Sequence, residues 1–340
     1  MIREAIGKVV TGTDLSEDEA AAAMEEMMTG EATPAQVAAL LTALRIKGES
    51  VAEITGMARV MRTKALRVDV PGALLDTCGT GGAAFDPFNV STTAAFVCAG
   101  AGVRVAKHGN RAATSASGSA DVLEALGAKV DLTPEQAGAC IEQTGFGFLF
   151  AQAFHPSMRY VGPVRREIGV RTIFNFLGPL TNPAGAQHQL LGVAEPGFAA
   201  KAVAALAQLG TKRALVVHSE DGLDEVSLSA PTRVFELRDG KTHEYVIRPE
   251  DAGLAPVAID LLRSGTPAEN AVRLRSVLDG DKSSDRDFVL LNAAAALLAA
   301  DVVADLREGV TKAAQSIDSG AAKRALEAFI ATSQSFAQES

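Results

Sequence analysis

The sequence predicts an α/β protein. A small all-helical domain is joined to a larger domain with a mostly parallel central sheet flanked by helices. Three observations carry this expectation. Residues 1 to about 66 show helical spacing with repeated helix-start signals. From Pro71-Gly72 onward, short apolar runs alternate with helical stretches. Around residues 155–180 the alternation breaks and helical spacing returns. Such alternation argues for parallel βαβ units with right-handed crossovers. The expected domains are residues 1–70 with 155–180 folded back onto them, and residues 71–154 with 181–340.

The N-terminal helices have clear boundaries. Ser16 with Glu19, Thr33 with Gln36 and Ser50 with Glu53 each fit a capping box, and Pro34 sits at a first helical position. Each cap contributes about 1 kcal/mol. Gly30 and Gly48 stand where helix C-caps belong. Apolar residues fall at helical spacing, as in Val37, Leu40, Leu41 and Leu44, then Ile54, Met57, Val60 and Met61. Small antiparallel helices often pair with a copy of themselves, so a homodimer through this domain is expected.

In the larger domain Ala73–Asp76 reads as a strand and Asn89–Gly100 as a helix. Val103–Ala106 is the next strand and Ala120–Leu126 the next helix. Lys129–Asp131 reads as a short strand, and Thr133 to Gln136 opens a helix through a capping box. Phe146–Phe150 is a strand. Residues 155–178 suggest helices carrying Arg159, Arg165, Arg166 and Arg171, followed by the turn-rich Leu177-Gly178-Pro179-Leu180-Thr181-Asn182-Pro183. Leu190–Val193 and Ala214–His218 are strands around the helix Ala199–Leu209. Thr232–Leu237 and Thr242–Ile247 form a hairpin about Asp239-Gly240. Ala268–Leu278, Val289–Leu306 and Ala321–Thr332 read as helices.

Bulk properties exclude several classes. The 340 residues carry a net charge of −9, no Trp and two Tyr. General nucleic-acid binding needs a basic face and stacking rings, so it is not expected. Cys78, Cys98 and Cys140 form no C-x-x-C pair, and their number is odd. Buried thiols in a reducing compartment are expected rather than disulfides or a zinc site. The N-terminus lacks a secretory pattern. The apolar stretch Val289–Val303 is interrupted by Asn292 and Asp301 and is too short to span a membrane. A cytoplasmic protein is expected.

Three polar clusters stand at the carboxyl ends of expected strands, where open parallel sheets bind ligands. The first is Asp76-Thr77-Cys78-Gly79-Thr80-Gly81-Gly82. Strand, glycine-rich loop and helix present backbone N–H groups to a phosphate. Gly79, Gly81 and Ala84 satisfy G-x-G-x-x-A, but a dinucleotide site also needs an acid some 20 residues on. No Asp or Glu occurs between Asp86 and Asp121, and the second strand leads to Lys107. A Walker loop fails too, since no Gly-Lys-Ser/Thr follows. The second cluster is Lys107-His108-Gly109-Asn110-Arg111, backed by the hydroxyl-rich Thr114-Ser115-Ala116-Ser117-Gly118-Ser119. Two adjacent anion loops suit a ligand with two separated phosphate groups. The third cluster, His218 to Glu225, is acidic. Asp224-Glu225 beside anion loops suits Mg²⁺, which takes a few carboxylates plus water and substrate oxygens.

These motifs match a family. The chain resembles the anthranilate phosphoribosyltransferases of tryptophan biosynthesis over nearly its whole length. The carriers are the 76–82 loop, Phe88-Asn89-Val90-Ser91-Thr92, Lys107–Arg111, Ser117-Gly118-Ser119-Ala120-Asp121, Arg171-Thr172-Ile173-Phe174-Asn175, Leu177–Pro183 and Gly222-Leu223-Asp224-Glu225. The resemblance implies transfer of the phosphoribosyl group of 5-phosphoribosyl diphosphate to the amine of anthranilate, releasing diphosphate. It implies donor contacts from Gly79, Gly82, Ala83, Pro87, Asn89, Val90, Ser91, Thr92, Lys107, His108, Gly109, Asn110, Arg111, Ser115 and Ser119. It implies anthranilate contacts from Gly79, Asn110, His155 and Arg165, and Mg²⁺ held by Ser91, Asp224 and Glu225. Lys107, Asn110 and Arg165 would position the transition state, with no covalent nucleophile. A homodimer is the family's usual assembly.

The chain also departs from the family pattern. Ala83 stands where an Asp usually follows the glycine loop, Pro87 where a Thr or Ser usually precedes Phe88, and Ala116 where a Lys is often found. Asp86 is the nearest carboxylate to the missing one. Two other readings compete: a pyrimidine-nucleoside phosphorylase of the same architecture, and a non-catalytic relative that binds nucleic acid. Asp224-Glu225, Arg165 and the intact Lys107–Arg111 run favour the transferase over the first. The acidic charge weighs against the second.

Overall fold

The computed structural model describes residues 1–112 and 115–336. Four helices open the chain: Ile2–Val9, Glu17–Thr29, Pro34–Lys47 and Val51–Lys64. All three expected capping boxes form, with Ser16, Thr33 and Ser50 accepting the N–H of Glu19, Gln36 and Glu53. Gly30 ends its helix at φ +84°. The second and fourth helices cross closely because Gly56 has no side chain; a Cβ there would lie 2.2 Å from the Glu17 carbonyl oxygen. The helix Met158–Ile168 returns to this bundle and packs against Glu17–Thr29 and Pro34–Lys47.

The sheet has seven strands: β1 Leu75–Gly79, β2 Val105–Gly109, β3 Phe146–Phe150, β4 His188–Gly192, β5 Arg213–Ser219, β6 Thr232–Arg238 and β7 Lys241–Ile247. Their order is β3-β2-β1-β4-β5-β6-β7. The first five strands are parallel, and β6 pairs antiparallel with both β5 and β7. The β6–β7 turn places Asp239 and Gly240 at φ +52° and +73°, as a two-residue hairpin with this twist requires. The chain builds outward from β1 to β3, then restarts on the other side of β1 with β4. The topological switch therefore lies between β1 and β4, beside the glycine loop.

Alternating residues face opposite sides of the sheet. Leu190, Leu215 and Val217 join the core under the helices Val90–Gly100, Ser284–Ala299 and Ala321–Ser335. Leu191, Val216 and Leu237 face the helix Pro196–Gln208, and that core runs on into the helical bundle through Met57 and Phe176. Burial on both faces explains why these strands read as continuous apolar runs.

Two expected elements differ. Lys129–Asp131 is not a strand. Ala128, Val130 and Leu132 keep the buried alternation, but the segment lies against the last helix, where the Lys129 N–H donates to Ser333 Oγ at 3.1 Å. Period-two burial was present without a strand partner. Val289–Leu306 is not one helix either. The first helix, Ser284–Ala299, stops before Asp301, whose φ is +60°. Asp305 then caps a separate helix, Leu306–Asp318, by accepting the Glu308 N–H at 2.9 Å. Cys98 and Cys140 are buried and all three cysteines are free. Among the described residues no helix is long and apolar enough to cross a membrane.

Candidate functional site

The three polar clusters meet at the carboxyl edge of β1, β2 and β4. Gly79 and Gly192 are register partners across β1 and β4, and together they seat Asp224. A Cβ on Gly79 would stand 2.5 Å from Asp224 Oδ2, and one on Gly192 only 1.6 Å from the Asp224 carbonyl oxygen. The Asp224 carboxylate accepts the Gly81 N–H at 2.8 Å, so the acidic loop and the glycine loop are bonded directly. The Thr80 N–H donates to the Gly192 carbonyl at 2.9 Å. Gly82 lies under Arg171, whose Nη1 would be 1.7 Å from a Cβ there. Arg171 Nη2 reaches the Thr80 carbonyl at 3.4 Å.

Lys107 rises from β2 into the centre of this edge and is 2% exposed. Its ammonium donates to the Thr77 carbonyl and, at 3.2 Å, to Ser91 Oγ. Burial lowers its pKa, opposed by Asp76 and Glu225. Asp76, wholly buried, accepts the His108 N–H at 3.1 Å and the Asn182 amide at 2.8 Å. Burial pushes its carboxyl up to about 6. Asn182 also donates to the Ala106 carbonyl at 2.8 Å, so the turn-rich 177–183 segment clamps β1 to β2. Asn182 and Gln189, which donates to the Pro179 carbonyl at 2.6 Å, were not expected as supports. A polar residue inside a proline-bounded turn was the available signal.

Of the expected donor residues, Val90 and Thr92 are buried in the first turn of the helix Val90–Gly100. Asn89 precedes them and donates to the Ser117 carbonyl at 2.9 Å. Ala83 packs on the core and Pro87 pairs with Arg263. Gly109 leaves room for Ser119, whose Oγ would be 2.3 Å from a Cβ, and Ser119 Oγ donates to the Asn110 carbonyl at 3.2 Å. Ser115 is exposed, and Thr114 lies outside the described residues. Arg111 is held aside: both its terminal nitrogens bond Glu124, with Asp121 adjacent. It thus stands paired rather than open, because an ion-pair partner lies on the helix Ser119–Ala125 that its own loop leads into. Asp86, the carboxylate nearest to the missing one, lies close enough to raise the pKa of Asp224 further, and its Oδ2 accepts the Ala116 N–H at 2.6 Å.

Two buried histidines lie beside this edge. The rings of His108 and His155 are 5.1 Å apart. His108 Nδ1 bonds the Gly178 carbonyl at 3.0 Å, while its Nε2 and both nitrogens of His155 have no partner among the described residues. Burial holds His108 down to about 3, with His155 adding to the effect, and holds His155 down to about 4. Both rings are therefore neutral near pH 7. Arg165, near the end of the helix Met158–Ile168, lies 5.2 Å from the Phe174 ring. It has no ion-pair partner among the described residues, and burial lowers its pKa. A half-buried, unpaired guanidinium is suited to an incoming carboxylate.

The acidic pair fits a hard divalent cation. Burial raises both carboxyls, and Asp224 raises Glu225 further. Glu225 also faces the Ser91 hydroxyl and Lys107. Two adjacent carboxylates with a hydroxyl beside them form an oxygen donor set that a small cation would relieve. No group of three or more His, Cys, Asp or Glu is arranged for a metal among the described residues. Further ligands would have to be water and substrate oxygens.

The chain is similar to known proteins over nearly its whole length. The helical bundle domain of a glycosyl transferase family matches residues 3–65, and that family's a/b domain matches residues 71–323. The anthranilate phosphoribosyltransferase of Symbiobacterium thermophilum is 63% identical over 94% of each chain. That of Roseiflexus sp. strain RS-1 is 58% identical over 98% of each. A crystal structure of the enzyme from Thermus thermophilus superposes with a TM-score of 0.92 at 47% identity, covering 97% of this chain and 99% of that one. The Saccharomyces cerevisiae enzyme, solved in complex with PRPP and Mg, gives 0.90 at 30% identity over 98% of each. The phosphorylase and nucleic-acid-binding readings give way to this likeness. With such identity sustained over almost the entire length, the chain belongs to the anthranilate phosphoribosyltransferase family, glycosyltransferases that act as pentosyltransferases in tryptophan biosynthesis.

Proposed function

We propose that this edge of the sheet binds 5-phosphoribosyl diphosphate between the glycine loop and the 107–119 loop, with anthranilate against the His108–His155 wall. The observation that carries this reading is the direct bond between Gly81 and Asp224, with Lys107 and Ser91 alongside. The glycine loop, a buried lysine and a carboxylate pair adjoin there, which supports the reading. Gly79 and Gly82, with Asn89, Ser91, Thr92, Lys107 and Ser119, would hold the donor. Ser91, Asp224 and Glu225 would hold Mg²⁺, which when bound would neutralise charge on the leaving diphosphate.

Transfer breaks the bond between the anomeric carbon and diphosphate and forms one to the anthranilate nitrogen, which then gives up a proton to water or to the departing diphosphate. Negative charge grows on the leaving group, so fixed dipoles and cations lower the barrier without a covalent nucleophile. Lys107, already stripped of water, adds a fixed positive charge to this space. The aromatic amine is neutral at pH 7, so a strong base is not required. Arg165 would take the anthranilate carboxylate bidentately, with Asn110 and Gly79 completing the contact. Neutral His108 and His155 would wall the ring without placing a competing cation beside the carboxylate. Much of the remaining acceleration is positioning.

The same reading extends to assembly. Residues 1–70 with 155–180 would form one domain and 71–154 with 181–340 the other. The helical domain exposes Val10 and Ile46 at 63% and 82% on a groove of about 570 Å³. A second copy of the chain covering it would give a homodimer, in the cytoplasm. The test of the function is anthranilate fluorescence: purified protein with Mg²⁺ should consume anthranilate only when the donor is added.

A further inference from the structure

Residues 85–89 tie three segments together. The Asp86 carbonyl accepts the Ser264 N–H at 2.8 Å, and the Phe88 N–H donates to the Leu262 carbonyl at 2.8 Å. Pro87 forms an antiparallel bridge with Arg263, whose guanidinium lies 4.5 Å from the Phe85 ring. This strip fixes the backbone of Asp86. From that fixed base the carboxylate reaches across to the second anion loop and accepts the Ala116 N–H at 2.6 Å. A charged acceptor makes this a strong kind of hydrogen bond. Neighbouring amides of the same loop, on Ala112 and Gly118, go to Asp121 at 2.8 and 2.9 Å. Asp121 thus closes the loop onto its own helix, whereas Asp86 ties it to the 85–88 strip that follows the glycine loop. A parallel tie to the 115–119 stretch runs from Asn89 to Ser117, with Asn89 oriented by Asn270 at 2.8 Å; Lys107 and His108 tie the base of the same loop to Thr77 and Asp76.

We propose that Asp86 is a positioning residue for the donor, a latch that holds the glycine loop and the 115–119 loop at fixed spacing before 5-phosphoribosyl diphosphate arrives. This rests on the donor reading of the two loops. The carboxylate touches no substrate. Its effect is to spare the donor the ordering of one loop against the other, so it acts on donor binding and not on the chemical step.

The test is steady-state kinetics of Asp86→Ala and Asp86→Asn beside the unaltered enzyme. Asp86→Ala is expected to raise the donor KM about five- to tenfold, with kcat and the anthranilate KM within about twofold. Asp86→Asn keeps an oxygen that can accept the Ala116 N–H and should recover much of the loss. A merely structural role would lower kcat and the melting temperature together and show no donor selectivity. An unchanged or lower donor KM in Asp86→Ala would overturn the proposal, as would an Asn variant no better than Ala. Titration with inorganic diphosphate and Mg²⁺ separates this from failure of the functional reading. It should show the same loss of affinity in Asp86→Ala even if no anthranilate were consumed, and equal affinity would again overturn the latch.

Discussion

Gly192→Ala probes the seat of Asp224 without replacing any proposed ligand. The added methyl would lie 1.6 Å from the Asp224 carbonyl oxygen and 2.4 Å from its carbonyl carbon. Real Cβ contacts stay beyond 3.0 Å, and both opposing atoms are backbone, so no side-chain rotation relieves the clash. The Asp224 segment must retreat by more than an ångström. The 2.8 Å bond from the Gly81 N–H to Asp224 would then be lost. Misplacement of this size in an active site can lower the rate by about 100-fold. Overpacking in a filled region destabilises by about 1–3 kcal/mol, so the fold should survive. Initial rates from anthranilate fluorescence at varied Mg²⁺, with circular-dichroism melting, would measure both effects. Gly197→Ala, where a Cβ meets nothing within 4 Å, is the control and should be silent. A Gly192→Ala enzyme with kcat/KM within about threefold of the parent and the same Mg²⁺ dependence would refute the seat.

Asp224→Ala should leave the melting temperature close to the parent's and raise the Mg²⁺ concentration needed for half-maximal rate at least tenfold, by about the loss of one charged ligand; equal rates at limiting Mg²⁺ would remove Asp224 from the metal site. His155 is held down to about 4 from 6.5 by burial. The unfolded chain therefore binds more protons below pH 6.5, and the folded state loses stability as pH falls from there towards 4. His155→Gln removes this loss, so urea unfolding of parent and variant should diverge by about 1.4 kcal/mol per pH unit across that window; parallel curves would contradict the neutral, buried ring. Ile46→Glu places a charge on the exposed groove of the helical domain, and light scattering after size exclusion should show a shift from dimer to monomer. An unaltered mass would place any dimer contact elsewhere.

Local chemistry explains what was legible in the sequence. The capping boxes at Ser16, Thr33 and Ser50 involve residues three apart, so their bonds can be read from the chain alone. The glycine loop and the Lys107 cluster were legible for the same reason. Contacts set by sheet register were not. Gly192 seats Asp224 only because β4 lies beside β1, and nothing local to Gly192 announces that. The pairing of Arg111 was not legible either, since Glu124, which captures it, lies thirteen residues on. The alternation at Ala128, Val130 and Leu132 reports burial, and burial against a helix gives the same pattern as a strand. The break after Ala299 was readable in principle from Asp305 and Glu308, but the alanine-rich run before it masked the stop.

The measurement that bears most directly on the central claim is anthranilate fluorescence followed with purified protein. The signal should fall only when 5-phosphoribosyl diphosphate and Mg²⁺ are both present, with diphosphate released one for one. A signal that does not change over a wide range of donor concentration, or that falls equally without donor, would contradict the assignment of this site.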